Sequence, residues 1–349
     1  MKYHHCTSEF VCGVDLHSRM MFICIIDRSE NILVHKKISN NDLAGFKKTL
    51  QPYIGNISVS AESTFAYYFL SDFCEEINVP FLLGNALYMK HIHGGKTKND
   101  KIDSLKIAEL TMKNYLPFAH ICSKGVRHVR GLLRCRNNYV QYRTGLIAQV
   151  KIQLYQANLP SVSEITEEQI REDFISQKFL DENQRFHVES NLETISFYNK
   201  QIRQFEKKII QQTKSIDDKR FKLLMNIRGF GIIISSTILL EIDDINRFPS
   251  SKDFLSYCRL VKCSHESAGK KLGFGNNKIG NPYLRYIFGE AAIQLLRNNP
   301  EVKEYLASLI SRKGKAKALS ALARKTARSV FYILKKEQPF NLKMLLHNS

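Results

Sequence analysis

Three short runs rich in β-branched and aromatic residues, 10–15, 20–27 and 31–38, follow one another near the start of the chain, separated by short polar turns. Runs of that length between turn residues predict strands, here a meander of three neighbours. Residues 41–53 then carry Leu43, Phe46 and Leu50 at helical spacing, and 57–61 form a fourth strand-like run. A helix over 64–77 and a fifth strand over 79–83 follow. Three strands leading into helix, strand, helix, strand predict an α/β layout.

Beyond Asp100 the strand signal fades. Residues 127–159 place Val129, Leu132, Val140, Leu146 and Val150 in a helical rhythm among many Arg and Gln. Residues 191–213 repeat the pattern with Leu192, Ile195, Ile202, Phe205 and Ile209, so two long amphipathic helices are expected to pair as an antiparallel coiled coil. The polar, acidic stretch 160–184 between them reads as a connector. From about Lys219 a second domain is expected, helical throughout. The boundaries that follow are 8–125 for the α/β domain, 126–215 for the coiled coil and 219–340 for the mainly α C-terminal domain.

Charge changes the picture. The chain has 349 residues, ordinary hydrophobic content and a formal net charge of +19, far more than solubility asks for, which points to a polyanionic partner such as nucleic acid. Nine Lys or Arg and no acid fall between Ser311 and Lys336, interleaved with Leu319, Leu322, Ala323, Val330 and Ile333; such a run is either a solvated face or a phosphate-binding one. No apolar run approaches the roughly 18 to 20 residues of a membrane span, and residues 1–10 are too polar for a signal peptide. The eight cysteines include no Cys-x-x-Cys pair, so they are expected to be reduced thiols in a cytoplasmic protein.

Candidate chemistry lies in both halves. Asp15 ends the first strand, and Glu62 sits just past the fourth; in a sheet of this order those ends are neighbours. Asp100 and Asp103, three residues apart on a helix, emerge on nearly one face. Each acid alone is an ordinary surface group. Four converging carboxylates need a positive partner, and hard oxygen ligands suit Mg²⁺, which in a two-ion arrangement stabilises both oxygens of phosphodiester cleavage. In the C-terminal half, 224–231 runs into an apolar helix in a helix-hairpin-helix-like pattern, with Gly229 and Gly231 at a helix start where backbone amides can hold a DNA phosphate; a tight turn without ligand reads the same way. Further on, 263–271 is a small polar, cationic loop containing Ser264, His265 and Ser267, in which a serine is either ordinary or a nucleophile.

The order of elements matches the RNase H-like (RuvC-like) fold, and the motifs together resemble the insertion-sequence-110 family of transposases, which includes Piv-type invertases and RNA-guided bridge recombinases. The N-terminal marks are Gly13-Val-Asp15, Ala61-Glu62-Ser-Thr64 and Lys98-x-Asp100-x-x-Asp103. The C-terminal marks are Ile227-x-Gly-Phe-Gly231, Leu240-Glu-Ile-Asp-Asp244 with Arg247-Phe248, Ser267-Ala-Gly269, and Lys278-x-Gly-Asn281 followed by Leu284-Arg285. The chain departs from the family pattern at Arg228 and Lys262, where prolines are usual, and at Ala268, where glycine is.

The resemblance implies a transposase whose acidic tetrad, Asp15, Glu62, Asp100 and Asp103, binds Mg²⁺, and whose Ser267 attacks DNA to form a phosphoserine link. It further implies a homo-oligomer, dimer or tetramer, in which the two sites meet across subunits, and a structured guide RNA that pairs with donor and target DNA. Gly229, Gly231, Lys270, Lys271, Lys278 and Arg285 are the expected nucleic-acid contacts, and a nucleoid-associated bacterial protein is the expected setting. Three other readings stand beside it: a site-specific invertase using the same residues, a junction nuclease in which water attacks, and a non-catalytic nucleic-acid-binding protein.

Overall fold

The computed structural model describes residues 2–92, 100–159, 181–261, 264–267, 270–274 and 279–347. They fall into two compact units, 1–121 and 122–349.

The first unit is built on five strands: β1 (Phe10–Leu16), β2 (Met20–Ile26), β3 (Ile32–Ser39), β4 (Ile57–Glu62) and β5 (Phe81–Gly84). They form one mixed sheet in the order β3-β2-β1-β4-β5. β1 to β3 run antiparallel as a meander; β4 lies parallel to β1 and β5 parallel to β4. The parallel pairs need crossovers. These are α1 (Leu43–Leu50), which leads into a short 3-10 turn at 51–53, and α2 (Tyr67–Glu76). α3 (Ala86–Ile92) and α4 (Asp100–Met112) follow.

The two-residue side-chain period of a strand divides β1 between two layers. Cys12, Val14 and Leu16 face one core, with Phe46 and Leu50 of α1 and Leu70 and Cys74 of α2. Val11 faces the other, with Ala108 and Met112 of α4. On that second face Gly13 brings α4 unusually near: a Cβ there would meet the Ser104 carbonyl oxygen at 2.3 Å and the Ala108 nitrogen at 2.4 Å. Two polar ties hold the helix in place. Thr111 Oγ1 donates to Ser60 Oγ on β4 at 2.9 Å, and His35 Nε2 on β3 lies 2.8 Å from the Lys101 carbonyl oxygen.

The second unit opens with α5 (Lys124–Gln156), which pairs with α6 (Glu182–Met225). The pairing is antiparallel: Arg136 meets Glu206, Arg143 meets Asn199, and Val150 and Leu154 pack with Val188, Leu192 and Ile195. The helical stripe in the sequence predicts this pair, and α6 extends it on both sides. Asp217 breaks α6 with φ −156° and ψ 80°, and its carboxylate then accepts from the Arg220 amide, starting the final two turns. The expected connector, 160–184, lies outside the described residues up to 180, and α6 begins at Glu182.

The chain continues through α7 (Ile232–Ile242), α8 (Ser251–Tyr257), α9 (Pro282–Asn298), α10 (Pro300–Lys313), α11 (Lys315–Lys336) and α12 (Leu342–His347). Phe254, Phe288 and Phe331 meet at the centre of this helical core. The expectation of helix throughout is corrected here. Ser264–Ser267 (β6) and Lys270–Phe274 (β7) pair as an antiparallel hairpin, with Ser267 opposite Lys270. Strands of four and five residues, charged and polar at most positions, lack the apolar alternation that marks a strand in sequence.

Candidate functional site

The carboxylate site follows from strand register and from the seat of α4. β1 and β4 pair in parallel through Gly13 with Ser60 and Val14 with Ala61. One step further along stand Asp15 and Glu62, so Glu62 is the last residue of β4 rather than the first beyond it. Side chains two residues apart share a face; Asp15 and Glu62 therefore project on the face of Gly13 and Ser60, which α4 covers. Because Ser104 lies over Gly13 and Thr111 over Ser60, the start of α4 overhangs the strand ends. That start is Asp100 to Asp103.

The side chains show the convergence directly for two of the four acids. Asp15 Oδ2 lies 3.2 Å and Asp100 Oδ2 3.3 Å from His17 Nε2, and the three groups offer ligand atoms all within 4.8 Å of one another. Asp15 is pushed above the usual carboxylate range by burial; His17 opposes the shift, and the negative charges of Asp103 and Asp100 add to it. Asp103 thus acts on Asp15 through its charge, while Glu62 joins the group through register and not through the tight three-residue cluster.

His17 is the residue sequence reasoning missed. It lies two places after Asp15, the spacing that returns to the same side of an extended chain, and that spacing was its only signal. In the structure its ring nitrogen stands between two carboxylates, where positive charge is needed. Oxygen donors from Asp15 and Asp100, with Asp103 acting on Asp15 through its charge and Glu62 beside it in register, form a partly buried donor set that suits a hard divalent cation.

In the second unit, the expected contacts are dispersed. Gly229 takes φ +101°, and a Cβ would strike the Gln294 carbonyl oxygen of α9 at 2.6 Å. Glycine is thus required there by close packing inside the protein. Gly231 differs: it is exposed, has open space around its α-carbon, and is the N-cap of α7 with no side-chain cap. Its position leaves the first amides of α7 for a phosphate or water. Arg285 is exposed on α9. Ser267 ends β6, with Lys270 opposite it and Lys271 opposite Glu266 on β7. Lys278 lies outside the described residues.

The base of this hairpin is held by a buried network. Glu241 of α7 is 1% exposed and accepts from Arg134 of α5 through both oxygens at 2.7 Å. Asn281 Nδ2 donates to Glu241 at 2.8 Å, and Asn281 Oδ1 caps α9 by accepting from the amides of Tyr283 and Leu284. Arg134 also lies over the Tyr283 ring, 4.4 Å from its centroid. Just before the cap, Gly280 has φ +96° and its carbonyl accepts from Arg259 Nε at 2.9 Å. The two chain ends that frame the hairpin are thereby fastened to each other.

Comparison with known proteins agrees with these two halves. Residues 12–159 match the DEDD domain model of IS110 transposases, described as "Transposase", and residues 221–307 match the model "Transposase IS116/IS110/IS902 family". The transposase for insertion sequence element IS1111A of Coxiella burnetii is 22% identical over 95% of this chain and 91% of its own length. The transposase for insertion sequence element IS1328 of Yersinia enterocolitica is 22% identical over 92% of this chain and 95% of its own. With both domain models matched and relatives aligned along almost the whole length, the chain belongs to the IS110 family of transposases, enzymes of DNA recombination.

Proposed function

We propose that the chain moves a bacterial insertion sequence as an RNA-guided DNA recombinase that works through Ser267 and an Mg²⁺-binding carboxylate group, Asp15, Glu62, Asp100 and Asp103. One observation carries this reading: carboxylates from β1 and from the start of α4 converge within 4.8 Å around a single point. An RNase H-like assignment of the first unit is supported by its strand order, with a three-strand meander and two parallel additions beside β1. In the second unit, α5 with α6 up to residue 215 serves as an arm, and 219–340 carries the serine. The turn at Gly229 and Gly231 serves as a helix-hairpin-helix-like contact to DNA, assisted by Lys270, Lys271, Lys278 and Arg285.

The Ser267 hydroxyl attacks a DNA phosphorus. A bond forms between Oγ and phosphorus, the bond to one deoxyribose oxygen breaks, and the proton leaving Oγ is balanced by the one the departing oxygen acquires. A second DNA hydroxyl reverses the step on a new strand, which joins the exchanged DNA without loss of bond energy. Serine is a weak nucleophile at its ordinary pKa and needs a base and positive charge nearby; Lys270 and Lys271 lie next to it in the hairpin. A divalent cation, when bound at the acids, supplies charge for the attacking and leaving oxygens. Asp15 and Asp100 would hold that cation, and His17, 3.2 and 3.3 Å from their oxygens, would set the orientation of both carboxylates.

The deciding experiment traps the protein–DNA intermediate on a nicked or mismatched substrate, digests it, and finds the modified peptide by mass spectrometry. DNA on Ser267, and none with Ser267→Ala, is expected. DNA on Ser264, or an adduct from the Ser267→Ala chain, overturns the assignment. Full cleavage with no adduct favours a nuclease using water. RNA sequencing of the purified complex tests the guide, and a preparation free of a defined RNA removes it.

A further inference from the structure

α11 presents one line of positive charge. Lys317, Arg324, Arg328 and Lys335 lie seven, four and seven residues apart, so at about 100° per residue they fall within a stripe roughly 40° wide. All four are exposed, while Leu322, Thr326, Ala327, Val330 and Leu334 bury the opposite face. No acid interrupts 315–336. The line extends for about 27 Å at 1.5 Å per residue.

Beside it opens a cleft of about 360 Å³. Arg328, Tyr332 and Lys336 of α11 bound one side, and Phe340, Asn341 and Met344 bound the other. Tyr332 is 46% exposed, and Met344 61%. The Tyr332 ring stands edge-on to Phe331 at 5.3 Å, and Lys336 Nζ lies 5.6 Å from its centroid. A half-exposed tyrosine ring, with the Lys336 ammonium over one face, in a rim of one sign is poorly suited to the charge-depleted centre of a protein interface. It has the two parts of a single-strand site, a cationic track for phosphates and an aromatic surface on which a base stacks. The volume lies in the range of about 300–1,000 Å³ usual for small-ligand sites and suits one nucleotide-sized group.

We propose that this cleft receives an unpaired base of a DNA strand whose phosphates follow the Lys317 to Lys335 line, with Tyr332 as the stacking surface. The site rests on the family's action on DNA and needs neither Ser267 nor the carboxylates. It gives the enzyme a place to hold bases left unpaired while strands are exchanged.

The test uses the full chain carrying Ser267→Ala in chelator, so that binding is read without chemistry. Fluorescence anisotropy compares an oligothymidine with a DNA duplex of the same length, for this chain and for versions adding Tyr332→Ala, Tyr332→Phe or Arg328→Ala. Loss of one stacked base at about 1–3 kcal/mol predicts roughly five- to 150-fold weaker oligothymidine binding for Tyr332→Ala. Duplex binding is expected to hold within about twofold, Tyr332→Phe to retain the single-strand affinity, and Arg328→Ala to weaken both ligands because one phosphate is left without its cation. Photocrosslinking of an iododeoxyuridine oligonucleotide is expected to mark the 328–344 segment. Unchanged oligothymidine binding by Tyr332→Ala, equal loss for duplex, crosslinks that avoid this segment, or crosslinking by the matching RNA alone each overturns the proposal. Failure of the Ser267 adduct experiment leaves this result untouched, so the two readings fail separately.

Discussion

Gly13 on the first strand and Ser104 on α4 approach so closely that a side chain on one would occupy the carbonyl oxygen of the other, 2.3 Å from the ideal Cβ position. This approach sets the height of α4 above the sheet and thereby the position of Asp100 relative to Asp15. Gly13→Ala is expected to lift the helix start and to cost about 1–3 kcal/mol by overpacking. Urea denaturation measures that loss, and strand exchange should fall by more than the folded fraction does. A Gly13→Ala chain with undiminished stability and activity would show that the close approach does not fix the site.

Removing acids separates function from folding. Asp15→Ala or Asp103→Ala is expected to abolish strand exchange with the fold retained by circular dichroism, and a chelator should do the same to the unmodified chain. Burial, with Asp103 and Asp100, raises the Asp15 pKa against the opposing effect of His17. A carboxyl raised in the folded state favours folding at low pH and loses that advantage as pH rises through its folded value. Asp15→Asn, which has no charge to lose, should therefore be at least as stable as the parent at neutral pH without metal. Full recombination by either alanine variant argues against a metal-binding role.

Glu241 and Arg134 should show strong mutual dependence. Arg134→Ala strands a buried carboxylate, at about 3–5 kcal/mol as for other broken buried pairs, whereas Glu241→Ala leaves a guanidinium that is 36% exposed and is expected to cost less. The double replacement Arg134→Met with Glu241→Leu should cost well under the sum of the single losses. A double-mutant cycle on chemical denaturation reads the coupling, and additive single effects would deny it.

Lys313, Lys315, Lys317 and Arg324 are all exposed, at the end of α10 and along the first turns of α11. Replacing the four by alanine should shallow the dependence of duplex affinity on salt, by up to about 0.9 in log–log slope for each phosphate no longer neutralised. An unchanged slope would make the run a merely solvated face.

Buried thiols should resist alkylation in the native chain. Burial raises Cys74 to about 12 and Cys24 to about 11, and pushes Cys12 and Cys258 up as well. At pH 8 little reactive thiolate exists at these positions. Peptide mapping after a short iodoacetamide pulse should find the four unmodified until denaturant is added; rapid native labelling would indicate that these cores open.

The sheet was legible because its strands are β-rich runs bounded by turns, most of them apolar, and their order alone sets Asp15 beside Glu62. The long helices were legible for the same kind of reason, a sustained 3.6-residue stripe. α3 was missed, a seven-residue helix too short for a periodic signal to accumulate. The kink at Asp217 falls between the coiled coil and the C-terminal domain as the sequence divides them, at 215 and 219, but a single residue outside helical φ/ψ interrupts no periodic pattern and leaves no mark of its own. The Ser264–Phe274 hairpin reads as a loop because its pairing is through backbone hydrogen bonds, which leave little mark on a polar sequence. Gly229 reads in sequence as a phosphate-holding turn or as a tight turn without ligand, and the α9 backbone at Gln294 gives the glycine a packing reason of its own.

The single carboxylate of Glu241 gears the arm to α9. Arg134 grips it from α5, and Asn281, the cap of α9, grips it from the other side. A pivot of the arm at that point must carry the cap of α9 with it or break the Arg134–Glu241 pair, so the lean of one long helix and the start of another are set by the same two oxygens.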